Sequence, residues 1–296
     1  YTPENIKVYL EKVALKWETV LSQDEFKAPF DYFFAINGLD VHPKLFDFLI
    51  SKNPKIYKIL YLYDRVDGVI QIDEFFSYYD KVFSFDLSDC HKYHLNFLPI
   101  YWIPSLVQSI VKYNIFGLAS YSLFKPERTA LYRRIYDLVK KNNLKGYIRL
   151  YVNIGNDSQI KFWIKSIIKH LLGRESISLP LLSSKLTTFD RLTPSEYRDF
   201  INLSDTILDT QAQYQDGLTA RFMWAVGAGK KIITTNQNIK KYDFYSVEQF
   251  YILSENDKDN GALLKFLMSS FMPSEAYYDK IRKYRIDNWI QTILCQ

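Results

Sequence analysis

Residues 204–245 read SDTILDTQAQYQDGLTARFMWAVGAGKKIITTNQNIKKYDFY. Thr206 to Leu208 is a short apolar strand stopped by Asp209, a polar loop follows, and Gly217-Leu218-Thr219 opens a helix. Lys231 to Thr234 is the next strand, with Lys230 and Lys231 at its entrance. Strand, loop, helix and strand in this order predict parallel neighbours joined by a crossover helix. The N-terminus of that helix then stands at the carboxyl ends of the strands. Its free N–H groups and positive dipole end suit a phosphate or diphosphate there. Arg221, in the first helical turn, adds a guanidinium able to grip the same anion at two points.

The same alternation extends outward from this unit. Upstream lie a strand at Tyr113 to Ala119, a charged helix at Pro126 to Lys141, a strand at Tyr147 to Asn153 and helices at Ser158 to Leu172 and Pro194 to Asn202. Downstream follow a strand at Phe250 to Leu253, a helix at Asn260 to Met272 and a terminal helix at Ser274 to Leu294. The first half repeats the pattern. An opening helix at Thr2 to Leu21, with Pro3 as its start signal and Ile6, Tyr9 and Leu10 on its apolar face, precedes strands at Asp31 to Ile36, Tyr57 to Tyr63, Lys81 to Phe85 and His94 to Leu98. Helices are expected at Pro43 to Ser51 and Asp73 to Tyr79. Strands rich in Val, Ile, Phe and Tyr between helices predict parallel sheets covered on both faces. The expected fold is α/β, with two Rossmann-like domains facing across a cleft that holds the ligand at their strand ends. Residues 1–104 form the first domain, 105–272 the second, and 273–296 a C-terminal helix crossing back to the first. The sequence opens at Tyr1, so a first strand of the first domain is expected upstream.

Composition narrows the function classes. A 48% hydrophobic and 24% charged chain of 296 residues is long enough to bury two cores, which excludes wholesale disorder. The net charge of +5 is scattered rather than gathered into a basic stripe, so no nucleic-acid partner is expected. No apolar run approaches the roughly 18–20 residues of a membrane span. The longest, Phe97 to Ile103, contains Pro99. Cys90 and Cys295 are far apart and outside any metal-type spacing, as in a reducing compartment. A cytoplasmic location is expected. Neither a Walker loop, a Gly-x-Ser-x-Gly elbow, a Cys-x-x-Cys pair nor a convincing Asp-x-Asp pair for a metal-bound diphosphate is present, which argues against kinases, hydrolases and metal-dependent transferases. No cofactor and no metal are expected.

Several segments together resemble GT-B glycosyltransferases, especially the bacterial enzymes that build lipopolysaccharide and capsular glycans. They are FDYFFAING (30–38), KILYLYD (58–64), YYDKVFSFDLSDCHKYHLNFLPIYW (78–102), FGLASYSLFKPERTALYRRI (116–135), LTPSEYRDFINLSDTILD (192–209), QDGLTARFMWAVGAGKKIITTN (215–236) and IKKYDFY (239–245). The resemblance implies a nucleotide-sugar donor bound by the second half and a glycan or lipid-linked glycan acceptor at the first. Gly217, Leu218 and Thr219 match the turn that faces the donor diphosphate, and Arg221 matches a basic position. Ser120, Lys125 and Arg128 stand where such enzymes bring donor phosphates, and Asn236 with Thr235 lines the same pocket. Each has a plainer role too, as a turn glycine, a solvated arginine or a capped helix start. One departure is Trp224, which replaces the Glu that accepts the ribose hydroxyls in the family. An indole only donates, so Trp224 either stacks on a base or fills the core.

Transfer needs a general base for the acceptor hydroxyl. Asp64 ends a buried strand and is the first expectation; Asp86 ends the next and is the second, with a turn or cap role as the alternative for each. Asp209 ends a donor-side strand and is expected to act from behind. The competing class is a catalytically degenerate nucleotide- or sugar-binding partner of a glycan-assembly system, motivated by Trp224; an epimerase is a third. Tyr277, Tyr278, Tyr284 and Trp289 among Lys280, Arg282, Lys283 and Arg285 predict either an interdomain helix or a peripheral membrane contact.

Overall fold

The computed structural model describes residues 11–295 apart from 14, 18, 24–28, 39–41, 69–71, 105–109, 174–176, 178–180, 182–183, 212–215 and 254–258. Pro3, Ile6, Tyr9 and Leu10 of the expected opening helix lie outside these residues; the described part of 11–21 is helical. The chain divides into two units. Unit 1 is residues 1–100 with 214–217 and 295–296, and unit 2 is 101–213 with 218–294. The division thus falls between Ile100 and Tyr101, and residues 273–294 belong to unit 2.

Unit 1 is built on a parallel sheet of four strands, β1 (Tyr32–Ile36), β2 (Tyr57–Leu62), β3 (Lys81–Ser84) and β4 (Asn96–Phe97), in that spatial order. Ile59 through Leu62 are buried consecutively, as a strand covered on both faces requires. Helix α1 (Pro43–Lys52) carries Pro43 in its first turn and buries Leu45, Phe46 and Leu49, which share one helical face. Residues Ile72–Tyr78, expected as an α-helix, form a 3₁₀ helix. Asp86 does not simply begin a turn. Its side chain caps a short helix, α2 (Leu87–Tyr93), by accepting from the N–H groups of Ser88 and Asp89. His94 ends α2 with φ of 57°, so the expected strand at His94 shrinks to β4.

Unit 2 carries six parallel strands: β5 (Tyr113–Ser120), β6 (Gly146–Tyr151), β7 (Thr187–Thr188), β8 (Ser204–Asp209), β9 (Lys231–Thr234) and β10 (Phe250–Ile252). Their order is β10-β9-β8-β5-β6-β7. Helices α3 (Pro126–Lys141), α4 (Gln159–Leu171), α5 (Pro194–Asn202) and α6 (Ala220–Gly227) lie between the strands in sequence, and α7 (Asn260–Met268) follows β10. A capping box between Thr193 and Glu196 starts α5, and Thr219 caps α6 by accepting from Phe222 N. The core under one face gathers Ile115, Tyr132, Ile135, Ile148, Leu208 and Ile233.

The predicted single C-terminal helix is broken in two, α8 (Glu275–Ile281) and α9 (Ile286–Cys295), around a 3₁₀ turn at Arg282–Tyr284. The cause is tertiary. Trp102 N donates to Tyr284 O (2.9 Å) and Ile286 N to Trp102 O (3.0 Å), which pulls Arg285 into an extended bridge. Trp102 also anchors to Ile281 O through its indole (2.9 Å) and lies so close to α6 that a Cβ on Gly227 would stand 2.5 Å from its ring. Tyr277, Tyr284 and Trp289, read as membrane-facing alternatives, are buried in this packing.

Candidate functional site

In unit 2 the chain leaves β5 for β6 and β7 on one side, then returns to β8, β9 and β10 on the other. Strand order reverses between β5 and β8, and in open α/β sheets such a switch point is where ligands bind beyond the carboxyl ends. The β5–β8 ladder stops at Phe116↔Ile207, whereas β5 stays paired with β6 as far as Ser120↔Tyr151 and β8 with β9 as far as Asp209↔Thr234. The two strands therefore part over their last residues.

Two arginines occupy that parting. Arg128, in the first turn of α3, donates from Nη1 to Ser120 O (3.3 Å) at the end of β5 and from Nη2 to Gln211 O (3.5 Å) just past β8. Its Nε is buried and has no hydrogen-bond partner among the described residues; the same holds for the hydroxyl of Thr210, between Asp209 and Gln211. Arg221 turns the other way. Its Nη1 donates to Leu118 O (3.3 Å) and its guanidinium stacks over the Tyr197 ring at 5.7 Å. Arg221 thus makes internal contacts, and a guanidinium held inside the protein needs an opposite charge nearby.

That charge is Asp209, 4% exposed at the end of β8. Burial raises its carboxyl above the ordinary range, opposed by Arg221, by the Thr219 hydroxyl, which donates to Oδ1 (3.1 Å), and by Arg128. Burial works to lower the Arg221 guanidinium, but Tyr197, Asp209 and Tyr132 more than offset it and leave it raised. The Thr219 hydroxyl accepts from Phe222 N and donates to Asp209, so the start of α6 is tied to the end of β8.

Ser120, Arg128 and Thr219 thus all make hydrogen bonds at the carboxyl ends of β5 and β8. Lys125 is the cap residue of α3 and makes no side-chain capping bond. Leu218 is buried. Asn236 is buried past β9, where its side chain accepts from Asn238 N (2.8 Å). Trp224 stands elsewhere: it packs against α5, edge-on to Tyr197 with Arg198 at 5.9 Å from its ring, and its buried indole N–H has no partner among the described residues. Gly217 belongs to unit 1, and a Cβ there would come within 2.5 Å of Phe85, so no side chain fits. Sequence reasoning missed Thr210, whose position immediately after a strand-ending Asp was the available signal.

In unit 1, Asp64 is exposed just beyond β2 and accepts from Asn37 Nδ2 (2.7 Å), while Asn37 Oδ1 accepts from Tyr63 N and Asp64 N. Asp86, the second candidate base, lies in a different setting. It has no solvent exposure and accepts from four backbone N–H groups, those of Ser88, Asp89, Asp216 and Gly217, which leaves no site for a substrate proton. Asp89 is buried beside Arg65 (3.8 Å) and accepts from Val66 N. Among the described residues no three His, Cys, Asp or Glu side chains gather as a metal site, and no helix is long and apolar enough to cross a membrane.

Two parallel-sheet α/β units, with a switch point framed by helix starts in unit 2, define the GT-B class of fold, and structural comparison places the chain there. OtsA, a GT-B glycosyltransferase, matches 99% of this chain and 79% of its own length at 14% identity, with a TM-score of 0.59. The N-terminal domain of trehalose-6-phosphate phosphatase from Candida albicans matches 97% of this chain and 73% of its own at 13% identity, with a TM-score of 0.56. The structure of accessory secretory proteins 1, 2 and 3 in Streptococcus pneumoniae gives a TM-score of 0.47 at 13% identity, and this chain spans 57% of the length of the chain it matches there. At these identities the likeness is one of fold. No protein-family model and no curated protein matches the sequence.

Proposed function

We propose that the protein is a metal-independent glycosyltransferase that takes a nucleotide-sugar donor at the carboxyl edge of unit 2. The observation that carries the reading is Arg128: at the start of a helix of 16 residues, its guanidinium bridges the ends of both strands flanking the switch point with two of its five N–H groups and leaves its Nε–H without a partner among the described residues. A leaving diphosphate is stabilised by such a guanidinium, a helix N-terminus and a basic neighbour such as Lys125. Asp64 is assigned as the general base, since it is exposed and held by Asn37. The acceptor is a growing bacterial surface glycan, lipopolysaccharide or capsule, carried on a lipid at the inner face of the cytoplasmic membrane.

Thermal unfolding against UDP, dTDP, GDP, ADP and CMP and their sugar conjugates tests this. A ligand at about a hundred times its dissociation constant stabilises a fold by about 2.7 kcal/mol. One nucleotide is expected to stand out, and its effect to vanish in Arg128→Ala. Turnover of the matching sugar conjugate then separates enzyme from binder. A second reading rests on Trp224: with that indole packed on α5, the ribose has no carboxylate partner at this position, which favours a degenerate partner subunit that binds without turnover.

A further inference from the structure

Helix α4 is held to unit 2 by one narrow face. Phe162 and Trp163 pack on the core, and Ser166 is buried, donating to Phe162 O. The opposite side is apolar as well. Ile160, Ile164, Ile168 and Leu171 are 75%, 53%, 50% and 79% exposed, and Ile167 and Leu172 widen the same strip. Residues three and four apart share a helix face, so these six form one continuous outward strip. Along its flank Lys161, Lys165 and Lys169 recur every fourth position and make a basic row. The helix contains no acidic residue; Asp157, just before it, pairs with Lys165 (2.6 Å) and Lys161 (3.6 Å).

An exposed apolar strip of this extent marks a docking surface. The charge beside it decides the occupant. A second copy laid on the same face would bring three more lysines and no acid from its helix, so like charges would face each other across the seam. An anionic head-group layer complements the row, and the strip beside it suits the boundary between head groups and acyl chains. We propose that α4 docks the protein on an anionic membrane surface, lying in its plane with Ile160, Ile164, Ile168 and Leu171 inserted and the lysine row on the head groups. This surface is separate from the C-terminal segment, whose Tyr277, Tyr284 and Trp289 rings are buried, and it does not depend on the donor site.

The test is flotation of the full chain with phosphatidylcholine vesicles, with and without phosphatidylglycerol, at low and high salt. Ile164→Ser/Ile168→Ser and Lys161→Gln/Lys165→Gln/Lys169→Gln change outward side chains, and unfolding midpoints check that both variants fold. Expected is binding to the anionic vesicles that weakens with salt and falls by at least about tenfold in each variant. Slowed hydrogen exchange over 159–172 on adding anionic vesicles is the readout that needs no variant. Equal binding by wild type and variants, or none to anionic vesicles, overturns the proposal. So does a concentration-dependent dimer that disappears in Ile164→Ser/Ile168→Ser, which would make the strip a copy interface.

Discussion

Gly217 N and Asp216 N both donate to one oxygen of Asp86, at 3.1 and 2.7 Å, while the other oxygen caps α2 through Ser88 N (3.0 Å) and Asp89 N (3.3 Å). One buried carboxylate therefore holds two turns that are far apart in the chain. Its neighbour Ser88 donates to Asp216 and reinforces the tie. Removing the carboxylate orphans four donors where water has no access. Asp86→Ala is expected to lower the unfolding free energy by about 3–4 kcal/mol. Asp86→Asn, which turns an amide donor toward one pair of N–H groups, is expected to cost somewhat less. Urea unfolding of both variants checks this, and a change within about 0.5 kcal/mol, the range of ordinary surface substitutions, would remove the clamp.

Cys90 lies in α2 directly behind this carboxylate. Burial, with Asp86 and Asp89 adding to it, pushes its thiol up to about 12, whereas Cys295 is exposed. Since only the thiolate reacts, native protein near pH 8 is expected to yield one thiol to Ellman's reagent and the second only in denaturant. Mass mapping should put the fast label on Cys295. Rapid labelling of Cys90 in the native state would show that α2 opens locally.

Which parts of this fold were legible follows from how local their signals are. Helices Pro126–Lys141 and Pro194–Asn202 and strand Lys231–Thr234 lie where the residues predict them, because proline at a helix start, a capping box and a run of Ile and Thr act within a few positions. The two-residue β7 is too short for periodicity to register, and the break before α9 is imposed by Trp102 from far upstream. The site divides in the same way. Ser120, Arg128 and Thr219 could be placed at one sheet edge from strand and helix ends alone. Arg221 could not, since its direction depends on the buried Asp209 and on Tyr197. The link from Asp86 to Gly217 spans 131 residues and leaves no local trace.

Lys231 shows how a charged strand residue can be wholly structural. It is 1% exposed, and its ammonium donates to the carbonyls of Phe266 (2.9 Å), Leu267 (3.0 Å) and Ser269 at the C-terminal end of α7, with Asp205 at 2.9 Å. It thus satisfies carbonyls that the helix end leaves orphaned. Asp205 is partly exposed, so the pair itself contributes little and the carbonyls dominate. Lys231→Met is expected to cost about 2–4 kcal/mol and Asp205→Asn at most about 1 kcal/mol. Comparable losses for the two variants in urea unfolding would show the ion pair, not the carbonyl cap, to be the stabilising element.

The buried Asp209 also sets a pH signature. Its carboxyl is raised in the folded chain, chiefly by burial, whereas in the unfolded chain it titrates near the ordinary value of about 3.9. Between those two values the native state keeps a proton that the unfolded state has released, so its contribution to stability falls as pH rises through the window. Asp209→Asn cannot titrate and leaves the always-charged Arg221 without its partner, an offset that is constant over this range. Other carboxyls, including Asp89, cancel when the two proteins are compared. Urea unfolding of wild type and Asp209→Asn from about pH 4 upward is therefore expected to give a stability difference, wild type minus variant, that declines with pH and levels off above the folded pKa. A difference that rises with pH would mean that Arg221 and Arg128 outweigh burial and hold the carboxyl below its ordinary value, reversing the electrostatic account of the switch point.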